Sequence, residues 1–158
     1  MFRILDLSAG NRAIWFNKSM ELATFIDIRK NVKPDVVCDS RQLPLNDGLF
    51  DLIVFDPPHV NFGEKANMSK SYGYHNSEEI QDIIKKSAKE AHRVSNKNAL
   101  LVMKWNDHDK KIGPVLGSID PWWQPLFAHR IAYRLKHASS TYWAVLMKRE
   151  HVDCFELS

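Results

Sequence analysis

Four acidic residues come at or just after the ends of short apolar runs in the first part of the chain. They are Asp6, Asp27, Asp39 and Asp56. If each run is a strand of an open parallel sheet, the four carboxylates lie at one edge. Ligands bind to such sheets outside the carboxyl ends of the strands, where the strand order reverses. Because carboxylates accept hydrogen bonds from hydroxyl and amino groups, the pattern predicts a ligand site built from several strands.

The segment around the last of these acids has the most specific chemistry. The nearly continuous apolar run 51–55 is typical of a buried strand, and Asp56-Pro57-Pro58-His59 follows it. The two prolines fix φ and end the strand. The Asp56 carboxylate and the Pro57 carbonyl can then direct two acceptors at one amino group, and the flat His59 ring can stack on a base. The alternative interpretation is a proline-terminated strand with an incidental acid.

The turn after the first apolar run is a candidate site for a nucleotide-like cofactor. Small residues, Ser8-Ala9-Gly10, follow Asp6 and allow a ligand to approach the backbone closely. An acid about 20 residues further on, as Asp27 is, commonly accepts hydrogen bonds from ribose hydroxyls. Each feature taken alone is also compatible with an ordinary strand end.

The elements that must position these residues alternate between strand and helix. We expect strands at 3–7, 24–28, 36–38, 51–55, 99–104, 126–133 and 141–148. A helix or helical turn is expected over 11–23, a helix capped at Asn76 with an apolar face running to Val94, and a short helix over 112–120. A long loop at 59–76, an irregular stretch at 121–123 and a hairpin across 134–140 complete the pattern. This alternation predicts an α/β sheet.

The order of these motifs resembles that of class I S-adenosylmethionine (SAM)-dependent methyltransferases, over nearly all of residues 3–149. The segment Asp56-Pro57-Pro58-His59 resembles the D/N/S-P-P-aromatic motif of enzymes that methylate amino groups of adenine, cytosine or guanine. Position 59 departs from that motif in being histidine, and the first turn has one glycine where most relatives have more. The chain also resembles short stand-alone phage and prophage methyltransferases at Arg12 with Trp15-Phe16, Asp27-Ile28-Arg29, Lys104-Trp105 and Thr141-Tyr142-Trp143.

The resemblance implies a single Rossmann-like domain over 1–149 followed by a tail at 150–158. Its sheet would have seven strands, mostly parallel with the last antiparallel, and helices on both faces. SAM would be the cofactor and S-adenosyl-L-homocysteine the product, with no metal. The Ser8 to Gly10 backbone would hold the methionyl part, Asp27 the ribose and Asp39 the adenine. The full set of implied cofactor-binding residues is Asp6, Ser8, Ala9, Gly10, Asp27, Ile28, Asp39, Ser40 and Asp56.

The implied catalytic residues are Asp56, Pro57, Pro58 and His59, and the residues expected to bind substrate are His59, Lys104, Trp105, Arg12 and Trp15. Core packing is the alternative for Trp105, and a solvated side chain is the alternative for Arg12. The expected reaction transfers a methyl group to an exocyclic amino group, with a base in DNA or RNA as the favoured acceptor. A protein side-chain amide, a metabolite amine, or a non-catalytic binding role remain open as alternatives.

Composition restricts these expectations only loosely. The formal net charge of +3 permits binding to a polyanion without requiring it. No apolar run approaches the roughly 20 residues of a membrane span, and the two cysteines have neither disulfide-framework nor zinc-ligand spacing. An acidic residue follows the first five residues, which is unlike a signal peptide. We therefore expect a cytoplasmic monomer or homodimer without membrane association.

Overall fold

The computed structural model describes residues 1–58, 77–132 and 139–150, and these form one seven-stranded sheet with two α-helices. The strand order is β3-β2-β1-β4-β5-β7-β6. The elements in chain order are β1 (Ile4–Asp6), β2 (Ala23–Asp27), a 3₁₀ turn (Lys30–Val32), β3 (Val36–Val37), β4 (Phe50–Phe55), α1 (Ser77–Val94), β5 (Ser95–Asn106), α2 (Ile112–Ile119), β6 (Trp123–Ile131) and β7 (Thr141–Lys148).

The direction of the strands confirms the predicted mixed sheet. The pairs β1–β2, β1–β4, β2–β3 and β4–β5 are parallel, whereas β7 is antiparallel to both β5 and β6. Chain order runs outward in one direction from β1 through β2 and β3, and in the other from β4 onward. The boundary between β1 and β4 is therefore the switch point at which open α/β sheets bind ligands.

One face of the sheet packs against both helices. The apolar side of α1, predicted from its helical spacing, is buried at Ile80, Ile84, Ala88, Ala91 and Val94. These side chains share one core with Val115 and Ile119 of α2 and with alternate residues of the strands. Neither described helix is long and apolar enough to cross a membrane.

The opposite face differs from the expected arrangement. Of the helix or helical turn expected over 11–23, residues 11–22 form successive turns and no continuous helix, and no described α-helix packs on this side. The backbone turn is made by hydrogen bonds from Arg12 N to Ala9 O and from Trp15 N to Arg12 O, and Arg12 has a positive φ of 55°. Side chains of this segment still cover part of the sheet, where Ile14, Trp15 and Met20 pack against a second, smaller apolar cluster.

Several boundaries also differ from prediction. The strand β5 begins at Ser95, four residues before the predicted start. Trp123, predicted to be irregular, is the first residue of β6, pairs with Lys148 and is fully buried. The α2 and β7 segments agree with expectation. The predicted loop at 59–76, including the Asn76 cap, residues 133–138 of the hairpin region, and residues 151–158 of the tail lie outside the described residues.

Candidate functional site

Two acids meet at the switch point of the sheet. Asp6 is the last residue of β1 and pairs in register with Val54 of β4, and Asp56 follows the end of β4. The Ser8 hydroxyl accepts a hydrogen bond of 2.9 Å from the Asp56 backbone N–H. This bond ties the turn after β1 to the corner after β4, so the predicted cofactor turn and the predicted catalytic segment are neighbours.

The Asp6 side chain is buried within this junction, with 1% of its surface exposed. Its carboxylate accepts hydrogen bonds from the Trp15 indole Nε1 at 2.7 Å and from the Ser8 backbone N–H at 3.1 Å. Burial raises the pKa of Asp6 to about 6, because the two hydrogen bonds, which favour the charged form, only partly offset the loss of solvation. The Asp56 and Asp27 carboxylates, which lie at the same edge of the sheet, raise that pKa further.

Asp27 closes the other side of the turn after β1. It accepts two hydrogen bonds on each oxygen: Arg29 N at 2.8 Å and Arg29 Nε at 3.0 Å on Oδ1, with Gly10 N at 2.9 Å and an Arg29 Nη2 at 3.0 Å on Oδ2. Burial raises the pKa of Asp27, but the Arg29 hydrogen bonds outweigh it, so the net pKa lies below the ordinary value. All four lone-pair positions of the carboxylate are thus engaged.

The backbone conformation at Gly10 favours glycine. Its φ of +50° lies in the left-handed region, which residues with a side chain rarely adopt. A β-carbon placed there would also lie 3.4 Å from the Arg29 guanidinium. Beside it, the apolar Ile28 side chain is 64% exposed and provides a surface on which a flat ring could rest.

Asp39 lies at the next strand along this edge and is engaged in the same manner. Arg41 binds it through its backbone N–H and its guanidinium, with the Nη2–Oδ2 distance at 2.7 Å. These hydrogen bonds lower the pKa of Asp39. Arg41 also reaches Asp82 on α1, and the Ser40 hydroxyl hydrogen-bonds to Ser87 on the same helix. The predicted adenine-binding segment is therefore also a brace between β3 and α1.

A lysine from β5 lies beside the corner that follows β4. Lys104 Nζ lies 2.7 Å from Asp56 Oδ2, and the two side chains are 27% and 22% exposed. Pro57 is buried and Pro58 is half-buried. His59 lies outside the described residues.

Two predicted substrate-binding residues occupy other places. Trp105 is fully buried in the helix-side core, and its indole Nε1 donates to the Lys110 carbonyl at 2.8 Å. Arg12 lies with its guanidinium carbon 3.9 Å from the centre of the Phe25 ring and hydrogen-bonds to the Lys33 carbonyl. The position of Trp105 in the core agrees with the alternative interpretation, core packing. Arg12 braces the loop before β3.

The roles of Arg29 and Arg41 were missed by sequence reasoning. Each follows its acid at the second position, so the chain contains Asp27-Ile28-Arg29 and Asp39-Ser40-Arg41 at the ends of two neighbouring strands. The repeated Asp-x-Arg spacing was the available signal. Within 1–58, 77–132 and 139–150, no cluster of three or more histidine, cysteine or acidic side chains could hold a metal ion.

Comparison with protein-family models and with curated protein sequences finds no match. Solved structures do match the fold. The N-methyltransferase NodS from Bradyrhizobium japonicum, solved in complex with S-adenosyl-L-homocysteine, superposes with a TM-score of 0.61 at 13% identity, over 93% of this chain and 78% of that one. A predicted O-methyltransferase from Agrobacterium tumefaciens gives a TM-score of 0.63 at 14% identity, over 93% and 74%. The [4+2]-cyclase SpnF gives 0.66 at 11% identity, over 93% and 75%.

These neighbours differ in the reaction named for them, since one is an N-methyltransferase, one a predicted O-methyltransferase and one a cyclase. At such low identity a structural likeness establishes architecture and leaves chemistry to the site. The chain therefore has the Rossmann-like fold of class I methyltransferases.

Proposed function

We propose that this chain is a SAM-dependent N-methyltransferase whose acceptor is the exocyclic amino group of a base in DNA or RNA. The observation that carries the proposal is the position of Asp56. It follows the end of β4 beside two prolines, and the Ser8 hydroxyl joins it to the cofactor turn across the switch point. An acceptor carboxylate is thereby placed next to the edge at which a nucleotide-like methyl donor would bind.

The residues around Gly10 fit the proposed cofactor in type and position. The Ser8 to Gly10 turn offers backbone groups to the methionyl part, Asp27 is the acceptor for ribose hydroxyls, and exposed Ile28 gives an apolar surface for the adenine ring. The Asp27 carboxylate is already saturated by Gly10 and Arg29, so ribose binding requires the Arg29 guanidinium to leave at least one oxygen. The fit is therefore good once that one side chain moves.

When bound, SAM supplies an electrophilic methyl group. The chain's own contribution is to bind and orient the amine that receives it. An amino group on a base is a poor nucleophile because its lone pair is delocalised into the ring. The Asp56 carboxylate and the Pro57 carbonyl would accept its two N–H groups, favouring a pyramidal nitrogen with a localised lone pair. Fixed acceptors of this kind act through positioning and preorganised electrostatics.

Base recognition would fall to the residues around this corner. We propose that His59 stacks on the base and that Lys104 contacts it from the β5 side. A base within a duplex would have to be flipped out before its amino group could reach Asp56. The positive net charge of +3 is compatible with a polyanionic substrate.

A protein side-chain amide or a metabolite amine is the competing acceptor within the same chemistry. It is distinguished by direct assay. Radiolabelled SAM is incubated with the protein and separate pools of DNA, RNA and protein, and the labelled products are digested and separated. We expect label in a methylated base. Label only in protein or in small molecules would contradict the proposed acceptor.

The role of Asp56 is tested by Asp56→Ala. Removing one preorganised group of this kind typically lowers the rate constant for transfer by at least about a hundredfold. Cofactor affinity, measured by calorimetry, should change little, because the Asp56 contact with the turn after β1 is made by its backbone N–H, which alanine keeps. Asp120→Ala is the matched control: its carboxylate pairs with Arg149 beyond the end of α2, away from the predicted edge. Full turnover by the Asp56 variant would refute the proposed chemistry.

A further inference from the structure

The corner after β4 presents a hydrogen-bond acceptor and a hydrogen-bond donor side by side. Asp56 Oδ2 and Lys104 Nζ are 2.7 Å apart, and about a quarter of each side chain is exposed. The pair is therefore reachable by a ligand but partly shielded from bulk water. An ammonium group has three donors, and within the described residues Lys104 uses one of them, on Asp56.

Lys104 occupies a sheet position where the fold does not require a charge. Along β5 the side chains alternate, and Ala99, Leu101, Met103 and Trp105 point into the helix-side core. Lys104 belongs to the opposite row, where its register partner on β7 is Trp143. Asp56, Lys104 and Trp143 therefore follow one another across three neighbouring strands.

The Asp56 acceptor and the Lys104 donor together match a ligand that has a hydrogen-bond donor next to a hydrogen-bond acceptor. On adenine the amino group is flanked by ring nitrogens that accept hydrogen bonds, and on cytosine one such nitrogen adjoins the amino group. On guanine the amino group has a ring N–H on one side and the acceptor N3 on the other, so guanine fits only in the orientation that turns N3 to the ammonium. A lysine amine has no adjacent acceptor at all.

Resting on the proposed function, we propose that Lys104 is a specificity-determining residue that donates to a ring nitrogen next to the amino group held by Asp56. The substrate class is then a base whose amino group adjoins a ring-nitrogen acceptor, as on adenine and cytosine, selected over alkyl amines. A base without the ring nitrogen would leave one N–H donor of the partly buried Lys104 ammonium without an acceptor, which is the kind of loss on which hydrogen-bonding sites base their discrimination.

Deaza analogues test this contact atom by atom. Single-stranded oligonucleotides are prepared with adenine, 1-deazaadenine or 7-deazaadenine, and a second set with cytosine or 3-deazacytosine. The kcat/KM for methyl transfer is measured with the wild type, Lys104→Met and Lys104→Arg. Lys97→Met is the control, because Lys97 is on the same strand but is 74% exposed and pairs with Glu150.

With the wild type we expect one deaza analogue to lose about tenfold or more in kcat/KM, the range of a hydrogen bond to a charged group. Lys104→Met should lower the rate on the natural base to a similar extent and treat base and analogue alike. Lys104→Arg, which keeps a donor, should retain part of the preference, and Lys97→Met should behave as the wild type. A merely structural role would lower all rates together and leave the ratios unchanged.

The outcomes separate the two proposals. If the wild type methylates bases but does not distinguish natural base from analogue, the Lys104 inference is overturned and the proposed function stands. The same holds if Lys104→Met keeps the wild-type ratio. The wild-type ratios alone decide the matter if the methionine variant fails to fold. Absence of any methylated base with the wild type would overturn both.

Discussion

Asp6 makes the stability of this protein depend on pH in a direction that can be stated in advance. An acid whose pKa is raised in the folded state binds protons more tightly there than in the unfolded chain. Stability is therefore highest while both states are protonated, falls as pH rises between the two pKa values, and is constant above the folded value. We expect Asp6→Asn, which cannot ionise, to remove this part of the pH dependence.

The magnitude follows from the shift. The pKa of Asp6 moves from 3.8 to about 6, and each pKa unit corresponds to about 1.36 kcal/mol, giving about 3 kcal/mol in total. About 2 kcal/mol of this falls in the accessible range from about pH 4.5 to about pH 7.5. The asparagine amide cannot accept from both Trp15 and Ser8, but that cost does not vary with pH and leaves the slope unaffected.

The assay is urea unfolding of both proteins at a series of pH values, with the free energy of unfolding extrapolated to water. The difference between wild type and variant is the informative quantity, since all other titrating groups are common to both. Asp51→Asn serves as the control. Asp51 is half-buried and its pKa is lowered, so it does not cause stability to fall as pH rises. A difference between wild type and Asp6→Asn that stays constant across this range would refute the assignment of Asp6 as a desolvated acid.

Two further predictions concern the cofactor edge and the core. Asp27→Ala removes the acceptor that faces the Gly10 turn, and we expect SAM affinity measured by calorimetry to fall about tenfold or more; an unchanged dissociation constant would exclude Asp27 from the cofactor site. Trp123→Ala empties a fully buried position and removes the hydrogen bond of 2.9 Å from its indole to the Ala88 carbonyl, so the free energy of unfolding should fall by about 3–5 kcal/mol. The half-buried Trp122→Ala is its control and should cost less; equal losses would show that burial does not set the effect.

The sheet and α1 could be predicted from sequence because burial against the core leaves a periodic pattern of apolar residues within each element. The spacing of Ile80, Ile84 and Ala88 reflects a helix that buries one side. The segment 11–22 forms turns and not a continuous helix because its side chains make separate contacts. Trp15 turns its indole to the Asp6 carboxylate, and Arg12 adopts a positive φ that a helix does not allow. A single side-chain hydrogen bond or backbone turn of this kind produces no periodic pattern in the sequence.

The candidate site was predictable to the level of positions. Asp6, Asp27 and Asp56 come together because parallel strands end at one edge, which follows from topology alone. What could not be predicted is the state of their side chains. The engagement of Asp27 by Arg29 had a local signal in the Asp-x-Arg spacing, whereas the pairing of Asp56 with Lys104 joins residues far apart in sequence and left none.

If SAM binds at Asp27 as proposed, the saturated carboxylate makes its binding an exchange of hydrogen-bond donors and not a simple addition. Each ribose hydroxyl that donates to the Asp27 carboxylate would replace an Arg29 guanidinium N–H that already donates to it. The free energy of binding is then the difference between the contacts formed with the ribose and the contacts given up by Arg29. A large dissociation constant would therefore not mean that the cofactor fits the site poorly. Cofactor binding would also release the Arg29 guanidinium from Asp27. The free and cofactor-bound proteins would then present the positive charge of Arg29 at different positions.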